Sequence, residues 1–244
     1  MPIPRIHGVI RRRVLLNFRA DPDVVQNLLP ERFQPKLHAG RSIVGICLIR
    51  LEEVRLPGLP TFFGMSSENA AHRFAVEWQE GGQTIEGVYI PRRDTDSMFN
   101  RLVGGRLFPG EQHAAKFEVE DDDSRIAFHM LSQDGEVEVA FTGTCTTDWP
   151  QSSCFESLSQ ASSFFEAGEI GYSATESQDR LDGLRLKTED WTVAPLAISS
   201  WHSSYFCDPA RFPEGTLEFD HALVMRNLAH EWQAVRTLAA VATA

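Results

Sequence analysis

Segments rich in β-branched and aromatic residues recur along the chain, and short polar clusters separate them. Such runs are typical of β-strands. Turn residues, as in Glu80-Gly81-Gly82 and over 132–135, stand between several of the segments, and short connections favour antiparallel pairing. The predicted strands span 14–18, 43–54, 73–78, 84–90, 114–119, 125–130, 137–144 and 192–206.

Helical signals are fewer. Asp21-Pro22 has the form of an N-cap followed by proline at the first helical position, and Pro30 ends that helix. Further helices are predicted over 94–102, 157–167 and 228–241, the last from the helical spacing of its apolar residues. The pattern as a whole predicts a β-rich α+β fold decorated by short helices.

Composition and charge narrow the class of protein. The chain has 244 residues, 42% of them hydrophobic, and no linker interrupts it, so we expect a single domain over 1–244. The formal net charge of −11 disfavours nucleic acid and anionic membranes as partners. No apolar run is long enough to span a membrane. Four widely spaced cysteines indicate reduced thiols, so we expect a cytoplasmic protein.

Strong catalytic signatures are missing from the sequence. It contains no G-x-S-x-G, H-E-x-x-H, phosphate-binding loop or dinucleotide fingerprint. The eight histidines do not cluster with acids or thiols at metal-ligand spacing. We therefore expect neither a cofactor nor a metal.

A series of short motifs in the first half of the chain resembles the acetoacetate decarboxylase-like superfamily, and the L-L-P opening resembles its uncharacterised DUF2071 branch. The similarity covers residues 11 to 130. The order and spacing of the motifs are more specific than any one of them. The motifs are Phe18-Arg19-Ala20-Asp21-Pro22, Leu28-Leu29-Pro30, Ser66-Ser67-Glu68, Gly105-Arg106 and Phe108-Pro109.

The resemblance implies an antiparallel, cone-like β-barrel with flanking strands and short helices, holding a small ligand inside. The decarboxylases of this family use a lysine amine as a Schiff-base nucleophile. Their two adjacent lysines fall here on Gly110 and Glu111, so we predict no amine-dependent decarboxylation. Lys36, Lys116 and Lys187 are expected to be solvated surface lysines.

Other family positions retain polar residues. The resemblance places Arg11 at the arginine near the substrate carboxylate and Glu68 at the active-site glutamate. Glu111 and His113 fall in the former lysine segment, where alternation along a strand would put them on one face as a proton-transfer pair. The predicted catalytic residues are therefore Glu68, His113 and Glu111. The predicted ligand-binding residues are Arg11, Arg106, His72 and Gln112.

Three functions remain open from the sequence. The first is a binding protein for a small carboxylate or carbonyl compound. The second is an acid–base enzyme, a hydratase, isomerase or lyase, that uses Glu68 and His113. The third is a structural barrel filled by its own aromatic side chains; a homo-oligomer is compatible with each, because a fold alone does not specify chemistry.

Overall fold

The computed structural model describes residues 6–98 except 57 and 59, and residues 110–240 except 176, 178 and 189. Strands dominate this part of the chain, and a 3₁₀ turn lies at Thr61–Phe63. The strands are β1 (Ile6–Ala20), β2 (Gln34–Pro35), β3 (Leu37–His38), β4 (Arg41–Arg55), β5 (Met65–Glu80), β6 (Gln83–Thr95), β7 (Gln112–Asp121), β8 (Arg125–Ser132), β9 (Glu138–Cys145), β10 (Ile170–Ala174), β11 (Arg180–Thr188), β12 (Ala194–Ser203) and β13 (Leu217–Ala239). The helices are α1 (Pro22–Leu28) and α2 (Leu158–Glu166).

Both helices begin where the sequence predicts them. The Asp21 side chain accepts hydrogen bonds from the backbone of the first turn of α1, and the Ser157 side chain accepts one from the backbone N–H of Gln160 in α2. None of the helices among the described residues is long and apolar enough to cross a membrane.

One helix prediction was wrong, and a second was wrong at its start. Residues 228–239 belong to β13, which pairs with β1 and β11. Leu228 and Trp232 pack in one hydrophobic cluster, Val235 and Leu238 pack in another, and the pairing with β11 is irregular between the last two residues. The apolar residues of this strand therefore fall at a spacing that imitates a helix. Asp94 and Thr95 end β6 instead of opening a helix; the later part of the predicted 94–102 helix, from residue 99, lies outside the described residues.

The sheet closes on itself by two routes, and all but two of its pairings are antiparallel. Strands β13, β1, β4, β5 and β6 form a shared wall. In the larger ring, β7, β8, β9 and β12 connect β6 back to β13; in the smaller ring, β10 and β11 do so. The exceptions are the parallel pairings of β6 with β7 and with β10. The predicted β-rich, ring-closing fold is confirmed.

The larger ring is filled with aromatic side chains. Phe18 of the shared wall packs against Phe206 and Trp201, with ring centroids 4.8 Å away in both cases. Phe128 and Phe141 stack at 5.4 Å within the same buried cluster. Well-packed aromatic pairs of this kind stabilise a core.

Candidate functional site

The smaller ring encloses a cavity of about 330 Å³. Residues from each of its strands line the cavity, and α2 and Trp191 cover it. This volume lies within the range of small-molecule sites. Representative lining residues are Arg13 (β1), Cys47 (β4), Arg73 (β5), Arg93 (β6), Gly171 (β10), Leu184 (β11) and Trp232 (β13).

Strand alternation turns three arginines toward this cavity. Side chains two apart on a strand share a face, so Arg13 faces the cavity with Leu15, and Arg73 faces it with Ala71. Arg93 lies opposite Ala71 in the pairing of β5 with β6. The small side chain of Ala71 leaves room for the guanidinium of Arg93 beside it.

These arginines have polar but not acidic partners. Arg13 Nε donates to Cys47 Sγ at 3.1 Å, and Arg93 Nε donates to Ser173 Oγ at 2.9 Å. Arg73 Nη2 donates to Asn17 Oδ1. No ion pair joins Arg13, Arg73 or Arg93 to a carboxylate within the described ranges, and both Arg13 Nη1 and Arg73 Nε are buried without a hydrogen-bond partner there.

Burial without a counter-charge disfavours the charged guanidinium. It lowers the pKa of Arg73 to about 10 and that of Arg93 to about 10. Both side chains still carry a positive charge at neutral pH. The protein as a whole has a negative net charge, whereas the three arginines of the cavity are positively charged.

A buried network of hydrogen bonds connects Arg73 to Asp220. Asn17 accepts from Arg73, and Asn17 Nδ2 lies 2.9 Å from His221 Nε2. His221 Nδ1 lies 2.6 Å from Asp220 Oδ2, which also accepts from Ser153. Burial lowers the pKa of His221, so the neutral ring donates through Nδ1 and accepts through Nε2. The network therefore fixes the orientation of the Asn17 amide and, through it, of Arg73.

Arg11, which was predicted to bind the ligand, does not line this cavity. Arg11 is exposed, donates to Asn227 Oδ1 at 2.7 Å and lies 3.8 Å from Glu52. The pairing of β1 shifts between Ile10 and Arg12, which leaves Arg13 on the cavity face. Arg106 lies outside the described residues.

Glu68 and His72 face away from the cavity, toward the larger ring. Glu68 Oε2 accepts from Arg12 Nη2 at 2.7 Å; burial raises the pKa of this carboxyl, and the charge of Arg12 opposes the rise. His72 is fully buried 4.5 Å from the Tyr205 ring, and neither ring nitrogen has a hydrogen-bond partner in the part of the chain that the structure describes. Neither side chain lines the cavity of the smaller ring, which we call the arginine cavity after Arg13, Arg73 and Arg93.

Residues 111–113, which the resemblance aligns with the lysine segment of the family, place their side chains on both sides of the sheet. Gln112 lies opposite Arg93 and lines a small extension of the cavity. His113 Nε2 is 3.8 Å from Glu111 Oε1, and His113 Nδ1 is 3.3 Å from Asp134. Alternation thus brings Glu111 and His113 together, but no described contact joins His113 to Glu68. Their catalytic roles stay predictions.

Gly110 occupies a position where a side chain would not fit. Its φ is +77°, and a Cβ there would lie 2.4 Å from the Cβ of Ser173. Only glycine adopts such a backbone readily. Ser173 itself holds Arg93, so the position that the resemblance assigns to a lysine adjoins an arginine site.

The expectation for the lysines needs correction. Lys36 and Lys187 both border the cavity. The Lys36 side chain is only 13% exposed, because it pairs with Glu86 at 2.6 Å and lies over the Phe164 ring. Lys187 and Lys116 are exposed, as predicted.

A larger groove of about 540 Å³ contains Arg11, Arg12 and Glu68. Its charges are paired: Arg226 donates to both oxygens of Asp121, and Arg12 contacts Glu68 and Asp121. A charged side chain that already has a counter-charge gains less from binding a charged ligand than one that has none. The smaller cavity is therefore the better candidate site, despite its volume.

The family model of DUF2071, described as an uncharacterized conserved protein, matches residues 9–233. The chain belongs to the DUF2071 family. This confirms the predicted branch. No curated protein matches this DUF2071 chain.

Solved structures similar to this DUF2071 protein are acetoacetate decarboxylase-like. Acetoacetate decarboxylase from Legionella pneumophila has a TM-score of 0.59 at 13% identity, over 97% of this chain and 88% of that one. An acetoacetate decarboxylase-like enzyme from Sphingomonas wittichii RW1 has a TM-score of 0.58 at 11% identity, over 98% and 94%. The enduracididine biosynthesis enzyme MppR complexed with pyruvate has a TM-score of 0.56 at 11% identity, over 98% and 91%. At these identities the likeness shows the fold alone.

Proposed function

We propose that this protein binds a small carboxylate-bearing molecule in the cavity of the smaller ring. The observation that supports this most is a pair of buried nitrogens in the lining of one cavity, Arg13 Nη1 and Arg73 Nε, which have no hydrogen-bond partner among the described residues. A ligand carboxylate would supply both the missing counter-charge and the missing acceptors. Guanidinium groups suit this role because they offer several donors in a fixed geometry.

The rest of the lining favours an apolar group attached to the carboxylate. Leu15, Ile90, Trp191 and Trp232 give the cavity apolar walls, and apolar walls favour a short carbon skeleton over a polar one. MppR, which shares the fold, has been solved with pyruvate. Pyruvate is therefore the first probe that we would test.

Calorimetric titration with pyruvate and with acetone at pH 7 tests the proposal. Both molecules are small methyl ketones, but only pyruvate has a carboxylate. We expect pyruvate to bind at least about ten times more tightly than acetone, since a charge-assisted hydrogen bond to the free guanidinium nitrogens is available to pyruvate alone.

Sodium chloride at matched ionic strength controls for nonspecific screening. Equal affinity for the two ketones, or no affinity for either, would contradict the proposal.

Amine catalysis is a separate question, and we propose that it is absent. Gly110 has no room for a lysine side chain, and the Lys36 ammonium is held by Glu86. An ion-paired ammonium has no lone pair with which to attack a carbonyl. Treatment with acetoacetate and borohydride should therefore leave the intact mass of the protein unchanged; a reduced adduct on Lys36 or Lys187 would refute this prediction.

A further inference from the structure

The cavity contains a thiol that the proposed binding function does not use. Cys47 lies in the middle of β4, between Leu15 of β1 and Ala71 of β5. It is buried, with 5% of its surface exposed, and it lines both the main cavity and the extension. Its sulfur is therefore reachable from the cavity and shielded from bulk solvent.

Three arginines lie near this sulfur. Arg13 donates to Cys47 Sγ at 3.1 Å, and Cys47 also interacts electrostatically with Arg73 and Arg93. Cysteines that act as nucleophiles in proteins occur in such electropositive settings. An apolar structural cysteine would have no need of three guanidiniums.

The same arginines provide independent signs of a ligand. Arg73 is 4% exposed, lines the cavity, and has a buried Nε with no described partner. Arg13 Nη1 is also unpartnered, although Arg13 Nε contacts the sulfur. A carboxylate that satisfies these nitrogens therefore shares a guanidinium with Cys47. The carbon next to that carboxylate is the first one within reach of the sulfur.

We propose that Cys47 adds to the carbonyl carbon of a 2-oxo carboxylate bound by Arg13 and Arg73. The inference rests on the proposed carboxylate-binding function. In this step the S–C bond forms as the carbonyl π bond opens, and the thiol proton passes to the carbonyl oxygen. The product is a thiohemiketal. The step is reversible and needs neither an oxidant nor a reductant.

Pyruvate labelled with ¹³C at C2 is the probe for this step. In NMR spectra of the protein with this pyruvate, we expect a tetrahedral carbon signal from a protein-bound species, distinct from the signal of free pyruvate hydrate. This signal should be lost in Cys47→Ser and retained in Cys207→Ser, because Cys207 is exposed and does not line the cavity. If calorimetry shows pyruvate binding but the wild type gives no such protein-bound signal, Cys47 is not a nucleophile and the binding proposal survives. If pyruvate does not bind, both proposals fail.

Alkylation provides a second readout that does not depend on the equilibrium of the adduct. Peptide mass spectrometry would compare the rates of iodoacetate and iodoacetamide at Cys47, with Cys207 as the internal reference. We expect the ratio of the iodoacetate rate to the iodoacetamide rate to be about tenfold higher at Cys47 than at Cys207, because positive charge concentrates the anionic reagent. Pyruvate should slow the reaction at Cys47 only. Equal ratios at the two cysteines would overturn the proposal.

Discussion

Replacing Arg93 by methionine should stabilise the free protein and weaken pyruvate binding. Methionine has an unbranched side chain, as arginine does, but it carries no charge. The substitution therefore removes the Arg93 guanidinium, whose pKa burial has lowered to about 10. We expect the free energy of unfolding to rise by about 1–3 kcal/mol and pyruvate affinity to fall about tenfold. Denaturant unfolding and calorimetry measure the two effects.

The adjacent arginine is the matched control. Arg92 points to the other face of β6, where it donates to Asp94, Asp134 and Glu136. Methionine at position 92 would leave those carboxylates without their partner, so we expect a loss of about 3–5 kcal/mol in stability with pyruvate affinity retained. If both substitutions destabilise the protein equally, Arg93 is a structural arginine and has no role in ligand binding.

Replacing His72 by phenylalanine should protect the protein against acid. Burial, with the charges of Arg92 and Arg211 adding to it, lowers the pKa of His72 from 6.5 to about 3. Below about pH 6.5 the unfolded chain therefore binds a proton at His72 that the folded protein does not bind until about pH 3. The free energy of unfolding falls as the pH is lowered from about 6.5 to about 3. At pH 5 the difference is about 2 kcal/mol.

Chemical unfolding of wild type and His72→Phe at pH 7.5 and pH 5 measures this difference. Phenylalanine fits the environment, since His72 packs against the rings of Tyr205 and Phe206. His230, with a pKa lowered by burial to about 4, and His221, whose pKa burial also lowers, stay in both proteins and contribute to the residual slope. The exposed His202→Phe is the control. An unchanged pH slope in His72→Phe would contradict the prediction, because it would show that His72 binds a proton equally well in the folded and unfolded protein.

Local sequence signals predicted much of the fold. Each predicted strand overlaps an observed one, because alternating β-branched and aromatic residues are needed to cover a sheet. Asp21 marked the start of α1 because capping chemistry is local. The C-terminal strand was missed for a nonlocal reason. Trp232 faces the cavity and Val235 the other side of the sheet, so both faces are apolar and the period of two disappears.

The candidate site was less accessible to sequence reasoning. The resemblance directed attention to Arg11, but a shift in the pairing of β1 places Arg13 on the cavity face. Arg93 donates to Ser173 and has no carboxylate partner among the described residues, whereas its neighbour Arg92 has three acidic partners. The difference depends on which residues the sheet, closing by two routes, brings to each face of β6. No spacing in the sequence predicts this arrangement.

The most direct test of the carboxylate-binding cavity is diffraction from crystals of the protein soaked in pyruvate. Our account predicts density inside the smaller ring, with the carboxylate oxygens within hydrogen-bond distance of Arg73 Nε and Arg13 Nη1. Pyruvate bound only in the groove beside Glu68 and Arg12, or an arginine cavity that holds no anion at saturating pyruvate, would contradict it.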